Sequence, residues 1–151
     1  VWIMKDDTVR GTANRTLGVL TASGTTTQIP VGATVLCRSN GTETVMTILE
    51  KGYASITDSN TPFPAVNGDQ ILANTTANPI EIDLPSSPSV GEEVTIIDAR
   101  GTFSSNNVTV DRNGQPINSA ASNLTLSTAG QAVTLVYVDA TRGWAFKTNT
   151  A

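Results

Sequence analysis

The stretch Asn78-Pro-Ile-Glu-Ile-Asp-Leu-Pro85 decides the fold class of this chain. Ile80, Ile82 and Leu84 alternate with Glu81 and Asp83. Because successive residues of a β-strand point to opposite faces, the three apolar side chains share one face and the two carboxylates share the other. A half-buried strand between two proline-marked turns is therefore predicted.

Similar runs recur along the second half of the chain and are separated by turn residues such as Asn113-Gly114. The run Val133-Thr-Leu-Val-Tyr-Val138 is apolar on both faces over much of its length, which predicts a strand covered on two sides. No segment of this half has a helical pattern. Seven strands are predicted, at residues 69–74, 79–85, 92–99, 107–113, 123–127, 132–139 and 143–148.

The first half is predicted to hold shorter strands, at residues 16–21, 25–31, 34–38, 43–49 and 54–57. These are rich in Thr and poor in large apolar residues, so we expect them to share burial between identical chains. The two prolines at 62 and 64 predict a joint near residue 66. The expected fold is all-β: a smaller β-rich, shaft-like or trimerisation domain at 1–66, then an antiparallel β-sandwich or jelly-roll-like tip domain at 67–151.

Composition excludes several classes of function. The net charge of −4 and the lack of a basic cluster argue against nucleic acid as a partner. No apolar run approaches the roughly 20 residues of a membrane-spanning helix, so no membrane insertion is expected. The chain begins at Val1 rather than Met, which suggests a fragment of a longer protein.

Catalytic chemistry finds little support in the residue types. There is no histidine, which removes the Ser-His-Asp and Cys-His nucleophile systems, and the single Cys37 is expected to be a buried residue of a strand. We therefore expect no enzyme activity, no cofactor and no metal site. Glycoside cleavage needs only two carboxylates, so Glu81 and Asp83 leave that alternative open beside a solvated strand face.

Two aromatic residues have two interpretations each. Trp144 fits an interior position in which its indole N–H finds a hydrogen-bond partner, or a surface that stacks on a sugar ring. Phe103 lies in the polar loop 100–106 and fits either a carbohydrate contact or a hydrophobic plug that closes the loop.

Several motifs together resemble a domain near the C-terminus of tailed-phage fibre proteins, in particular fibres of Acinetobacter myophages. They are Gly68-Asp-Gln-Ile-Leu-Ala-Asn74, Asn78-Pro-Ile-Glu-Ile-Asp-Leu-Pro85, Val90-Gly-Glu-Glu-Val-Thr-Ile-Ile-Asp98, Asn107-Val-Thr-Val-Asp-Arg-Asn-Gly114 and Arg142-Gly-Trp-Ala-Phe146. The resemblance covers roughly the second half of the chain.

The resemblance implies a parallel homotrimer in the tail fibre of a virion. Its tip would bind a bacterial surface glycan, either lipopolysaccharide or capsule, and mediate attachment to the host. A further N-terminal region would join it to baseplate or fibre proteins. Two alternatives stay open: a purely structural shaft or trimerisation segment, and a capsule depolymerase that uses carboxylates.

If the seven strands alternate in direction, the connections at residues 74–78, 100–106 and 129–131 lie together at the far end. This predicts receptor-binding residues there, which are Asn74, Asn78, Arg100, Phe103, Ser104 and Asn106. Replacing Arg100 or Phe103 with Ala is expected to weaken cell binding with little loss of stability. A connection that crosses between sheets would remove the argument from strand direction.

Overall fold

The computed structural model describes residues 52–150 throughout and, before them, the backbone of five strands. A 3₁₀ turn at Asp58–Asn60 lies between the sixth and seventh strands. The strands are β1 (Trp2–Lys5), β2 (Gly18–Leu20), β3 (Thr26–Gln28), β4 (Thr34–Ser39), β5 (Thr44–Glu50), β6 (Tyr53–Ile56), β7 (Phe63–Pro64), β8 (Gln70–Ala73), β9 (Ile80–Asp83), β10 (Glu93–Asp98), β11 (Val108–Asp111), β12 (Leu124–Leu126), β13 (Ala132–Asp139) and β14 (Gly143–Asn149).

Strands β1 to β5 form two small antiparallel sheets. One has the order β1-β4-β5, and the other is the pair β2-β3. The five short strands predicted for the first half are present as β2 to β6, and Cys37 lies in β4 as expected, whereas β1 was not predicted. The burial of their side chains, including that of Cys37 and the predicted sharing of burial between chains, lies outside the described residues.

The seven strands predicted for the second half are all present, each within two residues of its predicted bounds. Together with β6 and β7, these seven strands form two mixed sheets, with the orders β14-β13-β10-β8-β6 and β12-β11-β9-β7. The chain is thus β-rich, and over residues 52–150 its sole helical element is the 3₁₀ turn.

The predicted antiparallel arrangement is wrong for the first strands of both sheets. Strands β6, β8 and β10 run parallel in the five-stranded sheet, and β7, β9 and β11 run parallel in the four-stranded sheet. The chain alternates between the two sheets from β6 to β11, so each parallel pair is joined by a strand of the other sheet. Parallel neighbours always need such a crossover. Strands β12, β13 and β14 then pair antiparallel.

Both sheets extend across the predicted boundary at residue 66. Strand β6 pairs with β8, and β7 pairs with β9. The segment predicted as a joint contains β7, a two-residue strand at the edge of its sheet. Proline is tolerated at such an edge because it has no N–H to donate to a neighbour.

The inner faces of the two sheets share one hydrophobic core. In most strands, inward positions are buried while their neighbours along the strand are not, as in Val133, Leu135 and Tyr137 of β13. Residues from both sheets form a single cluster within one chain. The described half therefore closes its core without a second copy.

Trp144 is fully buried, as one interpretation of the sequence predicted. Its ring packs edge-on against Tyr137 with centroids 5.5 Å apart, and the Tyr137 hydroxyl donates to Gln115 Oε1 at 3.1 Å. Within residues 52–150, however, the Trp144 indole N–H has no hydrogen-bond partner, so the predicted partner is absent. The ring is thus held by packing, not by a hydrogen bond of its N–H.

Gly143 is expected to be irreplaceable at the start of β14. Its φ is +69°, and an added Cβ would overlap the carbonyl oxygen of Pro116, which accepts a hydrogen bond from the Trp144 backbone N–H. Gly91 has a similar φ of +88° but open space around it. Gly91→Ala should therefore lower the free energy of unfolding only by the conformational cost of about 1–2 kcal/mol, and Gly143→Ala by clearly more. Urea denaturation of both variants measures the difference, and equal losses would contradict the close approach of Pro116.

Candidate functional site

The connections at residues 74–78, 100–106 and 129–131 lie together, and we call this surface the loop edge. The Asn106 side-chain amide donates to the Thr75 carbonyl oxygen at 2.9 Å, and the Thr75 and Thr102 hydroxyls are 2.8 Å apart. The Gly130 N–H donates to Asp98 Oδ2 at 2.9 Å. The three connections therefore form one continuous surface.

The cause of this proximity differs from the predicted one. Strands β8 and β10 are parallel, so both end at the same edge of the sheet, and the antiparallel β13 begins there. The crossing connections through the other sheet remove the argument from alternating directions. The loop edge consists of the predicted connections, but parallel pairing brings them together.

Asp98, the last residue of β10, holds the loop edge in place. Its side chain is buried and accepts hydrogen bonds from the backbone N–H groups of Arg100, Thr102 and Phe103, each at 3.1 Å, and from Gly130. Four backbone donors from two connections thus converge on one carboxylate. A loop that would otherwise be mobile is fixed to the end of the sheet.

The same contacts shift the titration of Asp98. Burial by itself raises the pKa of a carboxyl, but the hydrogen bonds from the backbone N–H groups of Phe103, Gly130, Thr102 and Arg100 outweigh it. The pKa of Asp98 is therefore below its ordinary value. Hydrogen bonds to a carboxylate favour its charged form, and this one is ionised at neutral pH.

Phe103 is a hydrophobic plug, and its predicted contact with a receptor is wrong. Its ring is 0% exposed and belongs to the core cluster. The Asp98 carboxylate fixes the Phe103 N–H, which turns the ring inward over the open end of the core. No surface of this ring is available to a sugar, and its removal would leave a cavity.

The remaining predicted residues differ in how far they face solvent. Arg100, Ser104 and Asn78 are exposed, whereas Asn74 and Asn106 are half-buried. The Asn74 Oδ1 atom accepts from the Thr76 hydroxyl at 2.6 Å, and the Asn78 side-chain amide donates to Asp58 Oδ2 at 2.6 Å. Asn74 and Asn106 therefore brace the loops, while Arg100, Ser104 and Asn78 are accessible to a ligand.

The carboxylates considered for glycoside cleavage lie on the outer face of the four-stranded sheet. Glu81 is exposed and Asp83 is half-buried, and both face away from the core, as predicted. Burial, with the negative charges of Glu81 and of the cross-strand neighbour Asp111, raises the pKa of Asp83. The described residues contain no group of three or more His, Cys, Asp or Glu side chains suited to a metal ion.

A second polar surface was not predicted from the sequence. It is a groove on the outer face of the five-stranded sheet, lined by Gly68, Asp69, Gln70, Glu93, Thr95, Thr134, Lys147 and Thr148. Its strand residues are the outward members of the alternating pattern. The order of the strands in the sheet, which the sequence did not reveal, brings them side by side: β8 pairs parallel with β10, and β10 and β14 pair antiparallel with β13.

No known protein family matches this chain, and no curated protein matches it. Over the residues that the structure describes, no helix has the length and apolar character needed to cross a bilayer.

The carboxylate of Asp98 makes the stability of this domain depend on pH. Because the folded-state pKa is lowered, the stabilisation is fully present above the unfolded-state pKa of about 3.9 and is lost as the pH falls through the folded value. Asp98→Asn should lower the free energy of unfolding at pH 7 and flatten its decline in this acid range. Glu92→Gln removes an acidic side chain that makes no hydrogen bond or ion pair within residues 52–150, so it is the control and should change the acid limb much less. An unchanged acid limb in Asp98→Asn would contradict this role.

Phe103→Ala should destabilise the domain by about 3–5 kcal/mol, because a buried aromatic ring leaves a cavity when it is truncated. Arg100→Ala, three residues earlier in the same loop, removes an exposed side chain and should change the free energy of unfolding by less than about 0.5 kcal/mol. Chemical denaturation of the two variants provides the comparison. A small loss for Phe103→Ala would indicate that the ring does not plug the core.

Proposed function

We propose that this chain is the receptor-binding tip of a phage tail fibre, which binds a bacterial surface polysaccharide without cleaving it. The proposal is supported by one observation above all, the loop edge. There the Asp98 carboxylate holds two connections through four backbone hydrogen bonds, while polar side chains remain exposed. A binding surface of this kind loses little conformational entropy when a ligand binds.

The exposed residues of the loop edge suit an anionic glycan. Arg100 carries a guanidinium group, which can donate two parallel hydrogen bonds to a carboxylate or phosphate. Ser104 and Asn78 add a hydroxyl and an amide within the same surface. Lipopolysaccharide and acidic capsules carry such anionic groups among their sugar hydroxyls, so both types of contact are available to one ligand.

We further propose that three copies assemble in parallel through the first half of the chain, at the end of a tail fibre. The resemblance of the second-half motifs to phage fibre tips favours this assembly. So do the shortness of β2 and β3, which contain three residues each, and the lack of any apolar residue in β3. Three linked sites would raise the overall affinity for a repetitive polysaccharide well above that of one site.

Binding to bacterial cells tests the proposed function. The labelled protein, as the whole chain, is incubated with a panel of encapsulated and smooth Gram-negative strains, and bound fluorescence is measured. The double variant Arg100→Ala/Ser104→Ala should reduce binding at least about fivefold, because charge-assisted hydrogen bonds contribute about 1.5–3 kcal/mol each. The matched control Arg142→Ala/Thr141→Ala alters the turn between β13 and β14, at the opposite end of β13 from the loop edge, and should bind as the unmodified protein does.

Two further measurements separate the alternatives. A reducing-end assay on the same polysaccharides should remain at background, whereas release of oligosaccharides would favour a depolymerase. Light scattering of the whole chain should give the mass of three copies. Failure of a trimer to bind any strain of the panel would favour a structural segment instead of a receptor-binding tip.

A further inference from the structure

Five side chains form a continuous row across the whole five-stranded sheet. Tyr53, Gln70, Thr95, Thr134 and Thr148 are direct Cα partners from β6 through β8, β10 and β13 to β14. We call these five residues the sheet row. With neighbouring strands about 4.8 Å apart, the row is roughly 19 Å long, which is longer than a single sugar ring.

The sheet row faces away from the core. The next residues along β6, β8 and β10 are Ala54, Ile71 and Ile96, and all three are buried in the core cluster. Because neighbouring residues of a strand point to opposite faces, the row lies on the outer face of the sheet. Its burial agrees, since Gln70, Thr95 and Thr134 are half-buried and Tyr53 and Thr148 are exposed.

The centre of the row offers hydroxyl groups with unused hydrogen-bonding capacity. The Thr95 and Thr134 hydroxyl oxygens are 3.0 Å apart, so one of them donates to the other. A hydroxyl has one donor and two acceptor positions, so after this bond the pair still has one free O–H and several lone pairs. Thr side chains are already restricted by the strand, and ordering them against a ligand therefore costs little entropy.

An aromatic ring lies at one end of the row. Tyr53 is 55% exposed, and in the part of the chain that the structure describes, Val90 is its single companion among exposed large hydrophobic residues. An exposed ring beside a line of hydroxyls can pack against the apolar face of a sugar while the hydroxyls bond the sugar's edge. A Tyr ring is suited to this because it combines a large apolar surface with a polar tip.

The groove beside the row has the size of one sugar unit. It holds about 190 Å³ and is lined by Gln70, Thr95, Thr134 and Thr148 of the row together with four neighbours. At about 30 Å³ per molecule this volume equals roughly six waters, and it is below the range of about 300–1,000 Å³ for pockets that enclose a drug-sized ligand. The groove is therefore suited to one ring of a longer chain that lies across the surface.

The charges around the groove disfavour an anionic ligand. Glu93 and Lys147 form an ion pair at 2.6 Å, so the ammonium is already beside a carboxylate. Asp69 also lines the groove, but its side chain is buried and its Oδ2 atom accepts a hydrogen bond from the Val66 backbone N–H at 2.9 Å; the lining contains no other basic residue. An acidic sugar would meet the Glu93 carboxylate and an ammonium that is already paired with it, whereas a neutral sugar would meet the Thr hydroxyls and the same carboxylate, which can bond its hydroxyls.

We propose that the sheet row and its groove form a second glycan site, separate from the loop edge, which takes a stretch of neutral polysaccharide lying across the strands. One sugar ring packs on Tyr53, and a neighbouring ring enters the groove and bonds the Thr95 and Thr134 hydroxyls. This inference rests on the proposed function in taking a glycan as the ligand. It adds the position of a site and a preference for neutral sugars.

Retention of neutral polysaccharides tests the assignment. The whole chain is passed over immobilised dextran, mannan and galactan, with alginate as the acidic comparison, and its apparent affinity is measured. For whichever neutral polysaccharide is retained, Thr95→Val/Thr134→Val and Tyr53→Ala should each weaken binding at least tenfold. Tyr53→Phe keeps the ring and should stay within about threefold of the unmodified protein.

A matched pair of threonines on the other sheet provides the control. Thr109 and Thr125 are also cross-strand partners, on the outer face of the four-stranded sheet. Thr109→Val/Thr125→Val makes the same chemical change and should leave the affinity within twofold. Amide NMR shifts on addition of soluble oligosaccharides of the retained polysaccharide should concentrate at Thr95 and Thr134, a change that a merely structural role for these residues would not produce.

The possible results separate this site from the proposed function. Equal affinity of the row variants and the unmodified protein would overturn the sheet row as a site while leaving glycan binding intact. Binding of bacterial cells or alginate without retention of any of the three neutral polysaccharides would overturn the neutral preference. Failure to bind cells and all four polysaccharides would overturn the site and the proposed function together.

Discussion

The arrangement of this domain depends on parallel, in-register pairing between strands that are not consecutive in the chain. From β6 to β11 the chain passes from one sheet to the other at every connection, so β6, β8 and β10 become neighbours with their residues aligned. Inward positions form rows such as Ala54, Ile71 and Ile96, which fill the core shared by the two sheets. The same alignment creates the outward rows and places the ends of parallel strands at one edge.

Asp98 shows how the core ends without leaving polar groups unpaired. It occupies an inward position of β10, next to Ala73, where an isolated carboxylate would be costly to bury. Four backbone N–H groups surround it, and these groups would themselves need partners where the loops cross the end of the sheets. Phe103 then covers the opening with its ring. One carboxylate therefore satisfies the loops and positions the aromatic plug.

The sequence was sufficient to locate the strands because side-chain alternation does not depend on what lies beside a strand. All seven strands of the second half were predicted for this reason, and β13 to the residue. Strand direction could not be predicted, since alternation is the same in parallel and antiparallel sheets. The lengths of chain between successive strands of the five-stranded sheet also differ. The aligned residues Tyr53, Gln70 and Thr95 are 17 and then 25 positions apart, so no repeat is visible in the sequence.

The candidate site was predictable only in part. Polar composition identified the loop 100–106, but composition cannot tell whether a ring in that loop points outward or closes the core, and Phe103 closes the core. The hydrogen bond that decides this is accepted by the Asp98 carboxylate, and the sequence pattern identifies Asp98 only as a residue near the end of a strand. The sheet row was missed because its five residues come from five strands, and its members are ordinary outward positions until the strand order is known.

The two proposed surfaces differ in how freely their side chains can be substituted without disturbing the fold. Loop-edge side chains such as Arg100 and Ser104 are exposed, while the loops are held through backbone N–H groups, so these side chains can be replaced without loss of the Asp98 contacts. The sheet row lies directly behind the core, and its residues must also suit a strand. A loop surface can therefore follow changes in the charged substituents of a glycan. A row of threonines on a sheet is better suited to what such glycans share, which is a neutral chain of hydroxyl-bearing rings.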